Sequence, residues 1–293
     1  MMTEASALSL LYRGTLASCN YACSYCPFAK KRDSRAVLAR DASEVARFVA
    51  WCGAQQRRLR IFFTPWGEAL VRRHYRQALQ NLCAMPHVLQ AGAQSNLAAP
   101  LAWLERMPPA QRARLALWCT FHPEQVSAER FLARSARLQD LGVAHAVGMV
   151  ALRENIEQIE AMRAALPQHI YLWLNAYDRR GPAYYSAAML ARLQAIDPWF
   201  DYSHKPRPAL GAACRAGSES LMLDGAGNLQ RCHFIETGLG NLYQDDLQAL
   251  LQESPCTRRR CDCYIGYAQR RDLPFVEDFG PGALMRQGPG SAG

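Results

Sequence analysis

The chain has 293 residues, is 50% hydrophobic and carries a net charge of +9. That length supports one barrel-sized core with an appendage, and it excludes a short disulfide-stapled scaffold. No stretch approaches the ~20 apolar residues of a membrane helix, and the opening MMTEASALSLLYRG lacks the basic start and the long apolar run of a signal peptide, so a soluble, cytoplasmic protein is expected.

Short apolar runs alternate with helical patterns. The runs are Ala7–Tyr12, Leu59–Phe63, His87–Ala91, Leu115–Cys119, Val143–Val150 and His169–Leu174. Between them, Val45, Phe48, Val49 and Cys52 fall on one helical face behind an Asp41-to-Glu44 capping pattern. Val71, Tyr75, Ala78, Leu79 and Leu82 form a second stripe, Ile156, Ile159 and Met162 a third, and Met189, Leu190, Leu193 and Ile196 a fourth. Strand-then-helix repetition predicts an α/β fold with a parallel sheet, open or partly closed into a barrel. Ligands in such folds bind at the C-terminal strand ends. Near Pro206–Pro208 the pattern changes to a hairpin in LMLDGAGNLQRCHF, a short helix around Asp245–Gln252, a Cys-rich loop and a Gly/Pro-rich tail expected to fray.

The charge is almost all arginine, since only Lys30, Lys31 and Lys205 are lysines, and it is dispersed. Dispersion reads first as a solvated surface and second as attraction for an acidic peptide; no nucleic-acid-binding module is visible. Eleven cysteines, an odd number, fit metal binding in a reducing compartment better than disulfides. Three crowd one loop: CNYACSYC holds Cys19, Cys23 and Cys26, with Tyr25 before the last. A structural zinc wants about four N/S ligands, and this loop supplies three thiols and no His. A 4Fe–4S cluster on three thiolates instead leaves one iron open to a small molecule.

This Cys-x3-Cys-x2-Cys spacing resembles the signature of the radical S-adenosylmethionine (AdoMet) superfamily. The resemblance implies a partial (β/α)6 TIM-like barrel over residues 1–205. It also implies AdoMet chelated to the open iron, Tyr25 beside the adenine, and cleavage to a 5′-deoxyadenosyl radical that abstracts hydrogen from substrate. In FFTPWGEAL, residues Trp66-Gly67-Glu68-Ala69 stand where the family carries Gly-Gly-Glu-Pro. Gly67 and Glu68 match, Trp66 and Ala69 depart, and the segment is implied to receive the AdoMet ammonium. Ser95, Asn96, Thr120 and His122 fall at strand ends where further AdoMet contacts are implied; a buried polar cap is the alternative for each.

Cys214, twelve residues, Gly227, four residues and Cys232, with Cys256, Cys261 and Cys263 later, resemble the SPASM/twitch auxiliary-cluster extension, expected over 206–279 and followed by a flexible tail over 280–293. Five cysteines can fill one 4Fe–4S site, so two clusters are expected in all. Cys261 and Cys263 would point the same way if extended, and one of Cys256, Cys261 and Cys263 is spare. The remaining Cys52, Cys83 and Cys119 read as packed small hydrophobes. A flavodoxin or ferredoxin electron donor is implied. LLYRGTLASCNYACSYCPFAKKRDSR resembles a small bacterial subfamily encoded near a second radical SAM protein and a leucine-rich-repeat protein, which favours a peptide or protein substrate. Small-molecule dehydrogenation or rearrangement is the second reading, and a non-enzymatic iron–sulfur or zinc protein the third.

Overall fold

The computed structural model describes residues 7–29, 31–177, 180–181, 183–261 and 263–287. Six strands run in parallel and in chain order: β1 (Leu8–Arg13), β2 (Leu59–Phe63), β3 (Val88–Ser95), β4 (Leu115–Thr120), β5 (Ala144–Ala151) and β6 (Leu172–Ala176). Each coincides with one of the apolar runs, shifted by a few residues. Helices Arg35–Gly53, Arg73–Ala84, Ala128–Asp140, Ile156–Ala165 and Ala187–Ile196 return the chain between or after strands. Leu8, Leu10 and Tyr12 of β1 join Phe48, Tyr75 and Leu79 in the main core. This is the partial (β/α)6 barrel expected.

The first helix starts earlier than its internal pattern indicated. Ser34 is its N-cap, accepting from the Val37 amide at 3.2 Å. Asp41 and Glu44 lie buried inside the helix and are turned toward the end of β1: Asp41 accepts from the Leu16 amide at 3.0 Å and Glu44 from the Thr15 hydroxyl at 2.6 Å. Their polar side chains resemble a cap in sequence but serve as tertiary ties. The helix Ala128–Asp140 escaped the pattern reading because only Phe131, Ser135 and Leu138 of it are buried.

After β6 come a two-residue strand β7 (Arg207–Pro208), the hairpin β8 (Ser220–Asp224) and β9 (Asn228–Gln230), β10 (Gly238–Asn241), and β11 (Arg260–Cys261), which pairs with β7. The hairpin turns through Gly225-Ala226-Gly227, where the sequence pattern indicated Asp224-Gly225 or Gly227-Asn228. β8 lies parallel to β1, with Leu10 opposite Leu221, so the sheet reads β10-β9-β8-β1-β2-β3-β4-β5-β6. The C-terminal part therefore continues the barrel sheet at β1.

The other face of the sheet is covered by residues 263–287. Trp173 and Ala146 pack against Tyr264, Tyr267, Phe275 and Phe279. Leu11, Phe62, Ala116 and Trp118 pack against Ile265 and Met285. Gly92 of β3 is needed there, because a Cβ would lie 2.8 Å from the Met285 sulfur and 2.2 Å from the Ala116 carbonyl. Ala283, Met285, Arg286 and Gln287 are buried, so the frayed tail expected from 280 onward is instead seated through 287; residues 288–293 lie outside the described part. Among the described residues no helix is long and apolar enough to cross a membrane.

Candidate active site

The loop leaving β1 is held from several sides. Asp33 accepts from the Ala17 amide at 2.9 Å, the Ser18 amide at 2.8 Å and the Ser18 hydroxyl at 2.8 Å. Burial alone would raise its pKa, but these bonds and Arg72 hold the carboxyl below its ordinary range. Arg72 also donates to the Ser18 hydroxyl at 2.8 Å. On the far side, Glu124 accepts from the Ser24 amide at 2.8 Å and its hydroxyl at 2.5 Å, and Gln125 accepts from the Ala22 amide at 3.2 Å. Asp33, Glu124 and Gln125 were not singled out in the sequence, because isolated polar residues in loops carry no periodic signal.

Cys23 is buried, and Cys19 and Cys26 are partly exposed. Burial raises the pKa of Cys19 and lifts Cys23 to about 11, and the charge of each neighbouring thiol adds to the shift. The Cys19 sulfur already accepts from the Tyr21 amide at 3.3 Å and from the Asn96 side-chain amide at 3.7 Å.

The turn after β2 lies directly against this loop. The Gly67 amide donates to the Leu16 carbonyl and the Glu68 amide to the Ser18 carbonyl, each at 3.2 Å. Glu68 is 4% exposed; its oxygens accept from the Leu70 amide at 3.0 Å, the Ser95 hydroxyl at 2.8 Å and the Asn96 amide at 2.6 Å. Burial pushes its carboxyl up to about 7 against those bonds. Asn96 spends its side chain on Asn20 at 2.9 Å and on the Ala98 amide at 3.0 Å. Glu68, Ser95 and Asn96 therefore form one buried network behind Cys19. Trp66 behaves differently: it is 42% exposed, stacked on the Arg13 guanidinium at 4.1 Å and tilted against Phe28 at 4.5 Å.

Tyr25 packs with Cys23 and Leu152, with Val150, Cys26 and Tyr177 around them. Its hydroxyl meets the His122 Nδ1 at 2.8 Å, and the two rings stack at 6.0 Å. Burial lowers His122 to about 4, so the imidazole is neutral near pH 7. Thr120 ends β4 beside Gly148, where an added Cβ would lie 3.7 Å from its hydroxyl. The residues singled out after β1, β2, β3 and β4 thus meet at one end of the sheet.

A second cysteine group lines a small cavity, partly open to solvent, whose wall includes Cys214, Cys232, Cys256 and Cys261. Arg231, Arg258, Arg260 and Arg270 share that wall. Arg231 fixes the loop before Cys256 by donating to the Ala216 carbonyl at 3.2 Å and to the Pro255 carbonyl at 2.8 Å. Burial raises Cys214, lifts Cys232 to about 11 and Cys261 to about 12. Cys263 is close enough to Cys232 to raise it further, but it is not part of the cavity wall. It packs with the Leu11–Trp118 group on the barrel's inner face, whereas Cys261 packs with the Tyr264–Phe279 group. Cys263 keeps an extended backbone as the N-cap of the short helix Tyr264–Tyr267, and Asp262 between the two cysteines lies outside the described residues.

No family model and no curated protein matches the sequence. Among solved structures the chain is similar to anSMEcpe with bound AdoMet, at 14% identity over 83% of this chain and 77% of that one, TM-score 0.53. It is similar to SuiB of Streptococcus suis at 13% identity over 85% of this chain and 66% of that one, TM-score 0.56. A complex of anSMEcpe with AdoMet and a Cp18Cys peptide matches at 14% identity over 83% and 80%, TM-score 0.53. The fold is that of a radical SAM core.

The donor set of the cysteine loop fits an iron–sulfur cluster in one respect. Amide donors already point at the Cys19 sulfur, as they do at cluster thiolates. Among the described residues no group of three His, Cys, Asp or Glu side chains is arranged to hold a metal ion. The second cavity offers four thiols in an arginine-rich wall, which suits an anionic four-thiolate cluster.

Proposed function

We propose that the chain is a radical SAM enzyme, with a 4Fe–4S cluster held by Cys19, Cys23 and Cys26 and AdoMet bound beside it. When bound, that cluster supplies the electron that splits AdoMet into methionine and a 5′-deoxyadenosyl radical. The observation that carries the reading is the convergence on one loop: the Glu68 amide bonds Ser18, the Asn96 side chain bonds the Cys19 sulfur, and His122 bonds Tyr25.

The chain's own residues have definable tasks. Tyr25, held by neutral His122, offers a ring face for the adenine. A carboxylate accepts about four hydrogen bonds, and Glu68 uses three internally, leaving one lone pair for the AdoMet ammonium. Backbone carbonyls of Trp66 and Gly67 are the further acceptors. Ser95 and Asn96 act through Glu68 and Cys19, and Thr120 faces the ribose or carboxylate.

An auxiliary 4Fe–4S cluster takes Cys214, Cys232, Cys256 and Cys261, fully protein-ligated, as an electron conduit in a SPASM/twitch-like extension. Cys263 is the spare cysteine. The substrate is a peptide or protein side chain, which the peptide-bound anSMEcpe complexes favour over a small molecule. A flavodoxin or ferredoxin supplies electrons, in the cytoplasm. The test is anaerobic incubation of reconstituted protein with AdoMet and dithionite. Formation of 5′-deoxyadenosine supports the proposal; a colourless protein with stoichiometric zinc and no cleavage refutes it.

A further inference from the structure

Three large hydrophobic side chains stand exposed among the described residues: Phe28, Trp66 and Leu210. Phe28 and Trp66 lie against each other at 4.5 Å. Leu210, 68% exposed, joins none of the apolar clusters. A lone surface leucine is ordinary, but the setting of this one is not. The Ala209 amide before it donates to the Arg259 carbonyl at 3.0 Å, and the Gly211 amide after it donates to the Cys256 carbonyl at 2.8 Å. The Cys256 amide in turn donates to the Ala212 carbonyl at 2.9 Å, and β7 pairs with β11, with Pro208 opposite Arg260. Leu210 is thus carried on a loop laced to residues 256–260.

Arg258, Arg259 and Arg260 are all exposed on that segment. Residues 205–213 and 254–262 carry five cations, Lys205, Arg207, Arg258, Arg259 and Arg260, against one acid, Asp262. Asp201 adds a second acid, paired with Lys205 at 3.0 Å and with Arg207 at 2.8 Å. With both acids ionised the net charge is still +3, so the sign of the face does not depend on where the Asp262 carboxylate lies. Glu253, the acid just before the second segment, is taken up by Arg271 at 3.2 Å. The result is an apolar centre with a cationic rim on a hydrogen-bonded backbone, which is the layout of a protein interface. A single-stranded nucleic acid would want exposed rings among the arginines, and the exposed rings Phe28 and Trp66 stand at the first cysteine loop instead.

This face lies at the auxiliary cysteines. Arg258 and Arg260 wall the same small cavity as Cys256 and Cys261, and both of these thiols are half-buried, so they lie close to the surface. A protein seated on Leu210 comes next to Cys256 without the chain having to open. Opposite charge speeds such encounters, and transient electron-transfer complexes use small interfaces.

We propose that Leu210, Arg258, Arg259 and Arg260 form the docking face for a small acidic electron-carrier protein, which meets the chain at the auxiliary cysteines. That the partner carries electrons rests on the function proposed above; the face itself stands on its charge and its exposed leucine.

The test titrates reconstituted full-length protein with an acidic flavodoxin, an acidic ferredoxin, a hexaglutamate peptide and a single-stranded DNA oligonucleotide, by calorimetry at low and at high salt. At least one carrier is expected to bind more tightly than the peptide or the DNA, and about tenfold or more weaker at high salt. Arg259→Glu should weaken the carrier about tenfold or more, and Leu210→Ser about five- to tenfold at either salt. Both side chains are exposed and neither walls the cavity, so both variants should keep wild-type iron content. They should also form 5′-deoxyadenosine normally with dithionite, which needs no docking, and slowly with the carrier. Failure of both carriers to bind, carrier binding indifferent to salt or to Arg259→Glu, or tighter binding of the peptide or the DNA overturns the proposal. Loss of iron from both variants does so too, since it would make the segment structural. Lack of 5′-deoxyadenosine from a wild type whose carrier binding depends on Arg259 would sink the enzymatic function and leave the docking face standing.

Discussion

Gly67 and Ser18 touch backbone to backbone: a Cβ at position 67 would stand 2.1 Å from the Ser18 carbonyl oxygen. This glycine is needed because the turn after β2 must lie flat against the cysteine loop. Gly67→Ala should therefore push the two loops apart, costing about 1–3 kcal/mol of stability. AdoMet binding by calorimetry should fall with it. Wild-type affinity and melting temperature would refute the contact.

The three thiols of the loop should behave as a unit. Alanine at Cys19, Cys23 or Cys26 is expected to remove one cluster's iron and sulfide and to end 5′-deoxyadenosine formation. The auxiliary cluster's paramagnetic signal should remain. Loss of both signals from a single replacement would contradict two independent sites.

The auxiliary cavity yields a sharper expectation. Alanine at Cys214, Cys232, Cys256 or Cys261 should lower iron content by one cluster, whereas Cys263→Ala should leave iron content intact. Iron analysis of the five proteins decides it. A Cys263→Ala protein that loses a cluster would return Cys263 to the ligand set.

Asp33 is a third support of the cysteine loop, through three accepted bonds. Asp33→Asn keeps the size but loses charge and one good acceptor, so each weakened bond costs about 1 kcal/mol. The expected outcome is slower cluster reconstitution at the three-cysteine site with little change in the auxiliary one, read from iron uptake over time.

His145 is one of three histidines, with His122 and His233, whose burial lowers stability in acid. It is 1% exposed, bonded to the Ser135 hydroxyl at 2.8 Å, and burial lowers its pKa to about 4 from an ordinary 6.5. Between those values the unfolded chain binds the extra proton, so this residue's contribution is lost as pH falls from 6.5 toward 4. The full effect is about 3 kcal/mol. Denaturant titrations should show a flatter acid limb for His145→Gln than for wild type; equal slopes would exclude the histidine as the cause.

Much of the barrel was legible because its strands are continuous apolar runs, as buried parallel strands must be. The cysteine loop was legible through spacing, since thiolates on one cluster must be close in sequence or in space. Other features were not. Nothing in the period of Ser220–Asp224 says that it will lie beside Leu8–Arg13, because alternation reports a strand's faces and not its neighbours. Asp41 and Glu44 looked like a cap because a cap and a tertiary tie use the same residue types. The C-terminal residues looked loose because glycine and proline dominate GPGALMRQGPG, while the three side chains that anchor it, Ala283, Met285 and Arg286, make no pattern.

The pairing of β1 with β8 also sets an order of assembly. While the chain is being synthesised, β2 can dock on β1 early, but the other edge of β1 must wait for Leu221 and its neighbours, and the inner face waits longer still for Met285. Until then Leu11, Phe62 and Trp118 stand open to water beside an unpaired strand edge, the condition under which nascent chains associate wrongly. Low-temperature expression or chaperone supply should therefore raise the soluble yield.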